Sequence, residues 1–250
     1  MNMMKELCFE RDGKKIYGHL HLPKGKGPFP MVIICHGFGA DLNDHEYYAT
    51  IFARKGIAAY CFDFIGGGPK VKSDGKMTEM SVLSEVKDLN TVIDGIRKLP
   101  ETDKENLYLM GGSQGGYVIT YVADQRSDEI RGLIPLYPAY VIPDFVRNLL
   151  NNKDGIPETF RCLGCTVSSL YAIDALSVDI YEHMRYPGKV RIIHGTADSL
   201  VPIEYSERAV KVFKDAELIR VRGADHGFYE KDEVLVSELA VEFVKDTMKL

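Results

Sequence analysis

The sequence predicts an α/β fold in which a mostly parallel central sheet is flanked by helices and interrupted once by an inserted cap. Short apolar runs rich in β-branched residues recur along the chain, as strands covered on both faces require. Segments of helical period separate these runs, and each is long enough for the crossover that parallel strands need. One interval, residues 137–187, is longer than a single crossover helix requires and is read as the cap.

The elements follow in order. Residues 5–22 alternate in character around Asp12-Gly13, the pattern of two antiparallel strands joined by a tight turn. After the Pro/Gly-rich link PKGKGPFP comes MVIICH, residues 31–36, the first strand expected to be buried on both faces. The same texture returns in IAAYCF (57–62), LYLMG (107–111), GLIPL (132–136) and KVRIIHG (189–195), with ELIRVRG (217–223) as a more alternating last version. Helical period is clearest in 78–99, where Val82, Val86, Leu89, Ile93 and Ile96 recur every three or four residues. A closing helix is expected to place Leu235, Leu239 and Phe243 on one stripe. At 250 residues the chain suits one hydrophobic core, so a single domain over 1–250 is predicted, with the 137–187 cap inside it.

Composition narrows the function classes. A chain that is 45% hydrophobic and 27% charged can bury a sizeable core, which excludes disordered and fibrous classes. A formal net charge of -5 gives no electrostatic reason to expect nucleic acid or a membrane surface as a partner. The stretch MNMMKELCFE reaches Lys5 and Glu6 before any apolar run of signal-peptide length, and a cytoplasmic location is expected. Of the five cysteines, Cys35 and Cys61 fall inside strand-like runs as small buried hydrophobes. Cys162 and Cys165 have CxxC spacing, but no second pair of ligands follows, so they read as ordinary thiols rather than a zinc site.

The chemistry is concentrated in three places. In LYLMGGSQGG, Gly111, Ser113 and Gly115 form a GxSxG pattern after a strand and before YVITYVADQ, which can form a helix. Such a turn holds the nucleophile in a strained conformation, and its neighbours must lack side chains that would collide with strand or helix. HGTADSLVP then puts Asp198 in the loop beyond one strand, and RGADHGF puts His226 in the loop after the last. A serine hydroxyl needs a base to take its proton, and an imidazole oriented by a carboxylate supplies one. The expected roles are Ser113 as nucleophile, His226 as general base and Asp198 as orienting acid. Asp225 is a rival acid, but neighbours on an extended loop point apart. His36 and His194, each before a glycine at a strand end, read as loop-stabilising residues. The oxyanion donors are expected to be the backbone N–H groups of Gln114, just after the nucleophile, and of Phe38 in HGFGA.

With HGF at 36–38, FDFIGGG from Phe62, SDGK at 73–76, GGSQGG, HGTADSLVP and GADHGF, nearly the whole chain resembles the α/β-hydrolase superfamily. Within it, the chain resembles the small bacterial esterases that act on ferulate and other cinnamate esters. The resemblance implies an α/β-hydrolase fold and further places two substrate-binding residues in the cap, Tyr171 near the phenolic end of the substrate and Asp144 near its aromatic hydroxyl. It also exposes two departures. Relatives usually read GHG where this chain has Gly66-Gly67-Gly68 and lack the intervening Pro69 to Lys72, and they commonly carry a larger residue at the position of Gly112.

The resulting expectation is a serine carboxylesterase that works through an acyl-enzyme on feruloyl or cinnamoyl esters. Monoacylglycerol or short-chain acyl esters, a peptide substrate, and a non-catalytic ligand-binding role stay open as alternatives. No cofactor and no metal is expected. The expected partner is a small-molecule ester, without nucleic acid or membrane, and the sequence allows a homodimer.

Overall fold

The computed structural model describes residues 3–151 and 155–249. The cap therefore lies within the described residues except at 152–154. An antiparallel hairpin of β1 (Met3–Arg11) and β2 (Lys14–Leu22) opens the chain, turning at Asp12-Gly13 as the alternation predicts. Then come β3 (Phe29–Cys35), α1 (Glu46–Arg54), β4 (Ala58–Phe62), α2 (Val82–Ile96), β5 (Thr102–Gly112), α3 (Gln114–Gln125) and β6 (Gly132–Leu136). The cap contributes α4 (Ile142–Leu150), a short hairpin of β7 (Thr159–Cys162) and β8 (Cys165–Ser168), and α5 (Ser169–Ser177). The chain closes with β9 (Lys189–Gly195), α6 (Glu204–Val212), β10 (Ala216–Val221) and α7 (Lys231–Thr247).

Eight strands form one sheet in the order β1-β2-β4-β3-β5-β6-β9-β10. The hairpin joins β4 antiparallel, and every pairing from β4 to β10 is parallel. Strand β3 shows why these runs are apolar throughout. Met31, Ile33 and Cys35 face the core that contains α2 and α3, while Val32 and Ile34 face the core that contains α1 and α7.

Helix α2 starts later than its periodicity suggests because Ser81 caps it, its hydroxyl accepting from Ser84 N–H while Ser84 Oγ accepts from Ser81 N–H. In α7 the buried stripe runs through Val236, Ala240 and Val244, and Phe243 joins it. The expected stripe is corrected at Leu235, which is 44% exposed, because the face turned to the sheet is centred one residue further on. Among the described residues no helix is long and apolar enough to cross a membrane. All five cysteines are free thiols, and Cys162 lies directly opposite Cys165 across the cap hairpin.

Candidate active site

Ser113 is the single residue between β5 and α3. Its backbone sits at φ 52° and ψ -118°, a region costly for any residue with a side chain, on the order of 1–3 kcal/mol. Neighbouring backbone holds it there: Ser113 N–H donates to Leu136 O at 3.0 Å, and Ser113 O accepts from Ala139 N–H at 2.9 Å. The flanking glycines are needed for close approach. A Cβ on Gly111 would lie 2.5 Å from the Gly115 backbone, and one on Gly115 would lie 2.5 Å from Cys35 O.

The three residues far apart in sequence meet at the carboxyl ends of the parallel strands. His226 Nε2 lies 3.1 Å from Ser113 Oγ, and His226 Nδ1 donates to Asp198 Oδ2 at 2.8 Å. The Asp198 side chain is fully buried. Its Oδ1 accepts from the N–H groups of Leu200 and Val201, and its Oδ2 accepts a second imidazole N–H, from His194 Nε2 at 3.1 Å. Burial alone would push the Asp198 carboxyl up, but the hydrogen bonds from His194, His226 and Val201 outweigh it and hold the group well below the usual carboxylate range. Asp198 is therefore a firmly ionised acceptor.

The rival Asp225 does not reach the His226 ring. Its Oδ1 accepts from Ser199 N–H and Oγ–H at 2.8 Å and from His226 N–H at 2.7 Å, so it ties the Asp198 loop to the His226 loop. His36 stabilises its loop as expected, accepting from Phe64 N–H at Nε2 and donating from Nδ1 to Gly37 O. His194 has the larger role of bracing Asp198, with Ser206 Oγ 2.8 Å from its other ring nitrogen. Its four-residue spacing from Asp198 was the only signal of that role in the sequence.

Among the described residues, no protein acceptor engages the N–H of Phe38 or that of Gln114. The chain passes close to the nucleophile here, since a Cβ on Gly37 would lie 3.1 Å from Ser113 Cβ. The Gly66–Lys72 loop supports this segment. Gly39 N–H donates to Gly67 O at 2.9 Å, and a Cβ on Gly68 would lie 2.2 Å from Ala40 O. The extra residues turn around Asp63, whose carboxylate accepts from Leu42 N–H and Lys72 N–H.

The Gln114 side chain is anchored at both ends. Its Nε2 donates to Glu85 Oε2 at 2.9 Å, and its Oε1 accepts from the Tyr171 hydroxyl at 2.8 Å. Burial drives the Glu85 carboxyl well above its ordinary value, against the lowering by its hydrogen bond from Gln114.

Ser113 opens on two hollows. The wider, about 360 Å³, is walled by His45, Tyr48, Tyr137, Phe228 and Tyr229; the narrower lies under the cap among Phe38, Ile142, Phe145, Tyr171 and Val201. Leu163 and Leu200 line both. Leu163 is at the tip of the cap hairpin, 52% exposed and at φ 45°.

Tyr171 thus lies in the wall of the narrow pocket with its ring edge against Phe38, but its hydroxyl is committed to Gln114 rather than to the cavity. Asp144 lines neither hollow at Ser113. It sits on the outer side of α4, where it accepts from the Tyr205 hydroxyl at 2.7 Å and pairs with Arg147. Asp144 lies about 100° around the helix from Phe145 and about 200° from Ile142, the two residues that project into the pocket.

Sequence reasoning missed His45. Its ring is buried and neither nitrogen has a hydrogen-bond partner. Burial lowers its pKa to about 4, so the ring is neutral. It fills the space beside Gly112, where a Cβ would lie 2.4 Å from His45 Nε2 and 2.9 Å from the Tyr137 hydroxyl.

Known proteins match this architecture. The chain is 29% identical to Est1E from Butyrivibrio proteoclasticus in its complex with ferulic acid, with a TM-score of 0.88 over 96% of this chain and 98% of that one. A monoacylglycerol lipase from Paleococcus ferrophilus, 19% identical, has a TM-score of 0.69 over 99% of both chains and shares the fold. Esterase FrsA from Escherichia coli O139:H28 is 32% identical over 189 residues, which is 73% of this chain and 42% of the relative. Esterase FrsA from Escherichia coli O157:H7 is 32% identical over 152 residues, 59% of this chain and 34% of the relative, so this chain spans under half the length of these relatives. The Hydrolase_4 family, described as serine aminopeptidase, S33, matches residues 26–171. That match takes in the Phe38 loop, the serine-bearing turn and part of the cap, more than half of the chain, and the chain belongs to this family of α/β-hydrolases.

Proposed function

We propose that the protein is a serine carboxylesterase acting on small esters through an acyl-enzyme, with feruloyl or cinnamoyl esters as its preferred substrates. The observation that carries the mechanism is the continuous relay from Ser113 Oγ through His226 to a buried, ionised Asp198. His226 takes the Ser113 proton as Oγ attacks the ester carbonyl, and returns it to the departing alcohol. Asp198 fixes the imidazole tautomer, with Nδ1 as donor, and stabilises the imidazolium. The N–H groups of Phe38 and Gln114 receive the oxyanion, each worth about 3 kcal/mol to the transition state. Water activated by His226 then releases the acid, and no metal or organic cofactor takes part in any step.

Two observations support an aromatic acyl group. The roomier hollow at Ser113, about 360 Å³, is walled by the aromatic rings of Phe38, Tyr48, Tyr137 and Phe228, and the similar Est1E structure holds ferulic acid. Ser113→Ala is expected to lower hydrolysis of methyl ferulate by roughly a millionfold and to abolish labelling by a fluorophosphonate. Substantial remaining turnover would remove the mechanism. A panel of methyl ferulate, a short aliphatic ester and a monoacylglycerol, compared by kcat/KM, tests the substrate. Preference for either of the last two would overturn the cinnamate assignment and leave the relay intact.

A further inference from the structure

A second cluster of chemically capable side chains lies on the amino-terminal hairpin. His19 and His21 alternate along β2, so both leave the same face of the strand. Both are buried, at 8% and 7% exposure. Glu46, the first residue of α1, closes the group: its Oε1 is 2.6 Å from His19 Nδ1 and 3.1 Å from His21 Nε2. One ligand atom from each of the three lies within 4.8 Å of the others.

The hydrogen bonding around His19 fixes where its protons go. The Tyr17 hydroxyl donates to Glu6, so its oxygen is left as an acceptor. His19 Nε2, 3.0 Å away, donates to it, as does Lys72 Nζ at 3.2 Å. With Nε2 as donor to Tyr17, His19 directs Nδ1 at a carboxylate oxygen of Glu46. Two lone pairs at that separation need a cation between them, either a second proton or a metal ion. Metal-bound imidazoles characteristically donate their remaining N–H to a fixed partner, and the Tyr17–Glu6 pair provides that partner here.

We propose that His19, His21 and Glu46 form a zinc site, with His19 binding through Nδ1, His21 through Nε2 and Glu46 through its carboxylate. Two histidines and one carboxylate suit zinc, with water in the fourth position. Tetrahedral bonds of about 2.0–2.1 Å set ligand atoms about 3.3 Å apart, so Glu46 and His19 need to separate by less than about 1 Å and the two histidine nitrogens, within 4.8 Å of each other, need to close by up to about 1.5 Å. Of the three residues, His21 also lines a surface hollow of about 630 Å³. Zinc displaces the bridging proton and ties β2 to the first turn of α1, immediately after His45.

Zinc titration of the metal-stripped full chain by calorimetry, followed by thermal melting, tests the site. One ion per chain is expected, with a melting temperature raised by about 5–10 °C at a hundredfold excess over the dissociation constant. Glu46→Gln and His21→Gln preserve side-chain size and should weaken binding by more than about a hundredfold, whereas Tyr17→Phe, which removes only the outer partner, should weaken it about tenfold. Cobalt(II) should give a visible absorption band that Glu46→Gln loses. Absence of stoichiometric binding to the folded wild-type chain would overturn the proposal. So would equal affinity in the folded Gln variants, which would put the ion elsewhere.

Discussion

His194 and His226 donate to the same carboxylate oxygen, Oδ2 of Asp198, at 3.1 and 2.8 Å. The acid is thereby held from behind by one imidazole while it orients the other. His194→Gln should lower kcat on a 4-nitrophenyl ester by roughly ten- to a hundredfold, since small misplacements of reacting groups cost that much, with KM little changed. Steady-state kinetics checks this, and an unchanged kcat would show that the two backbone donors to Oδ1 suffice.

Gly112 and His45 compete for one space. Gly112→Ala should destabilise the protein by about 1–3 kcal/mol, the usual cost of overpacking. Adding His45→Ala should recover much of that loss. Chemical denaturation of the two single variants and the double variant measures the coupling, and strict additivity would contradict the packing relationship.

The pH dependence of stability should carry a signature of His45. Its pKa is lowered from 6.5 to about 4 by burial, so between those values the unfolded chain binds a proton that the folded chain does not. Stability is then full above pH 6.5 and falls as the pH drops toward 4, by up to about 3 kcal/mol. His45→Leu removes the titration and two unpartnered nitrogens, so it should flatten the profile and melt higher than wild type at pH 5. Parallel profiles for the two proteins would sink the prediction.

At the tip of the cap hairpin, Leu163 and Gly164 form a two-residue turn with positive φ at both positions. Glycine suits the first position better than leucine. Leu163→Gly should raise stability by about 0.5–1 kcal/mol while opening the wall that separates the two hollows at Ser113. A shift in the ratio of kcat/KM between cinnamoyl and aliphatic esters is the accompanying readout. A stabilised variant with unchanged selectivity would make the leucine a bystander.

The parallel strands were legible because burial on both faces demands the continuous apolar runs of MVIICH and GLIPL. The placement of Ser113, Asp198 and His226 at one end of the sheet followed from their order and from the glycines around the turn. Chemistry that depends on packing between distant segments was not legible. Nothing local marks His45 as the occupant of the space beside Gly112, or Glu85 as the anchor of Gln114. The cap hairpin was hidden because its strands are only four residues long, too short for the alternation in TFRC to mark a strand. The side of α4 that carries Asp144 was not legible, because a resemblance sets position along a helix more reliably than it sets the face.

The bonds from Ser199 and His226 to Asp225 carry a mechanical consequence for turnover. Two loops that emerge from different strands are fastened together beside the reacting groups, so acid and base travel as one body when a bulky guest pushes on either. Breathing of this rim during entry and exit can then change the width of the doorway while the spacing within the relay stays constant.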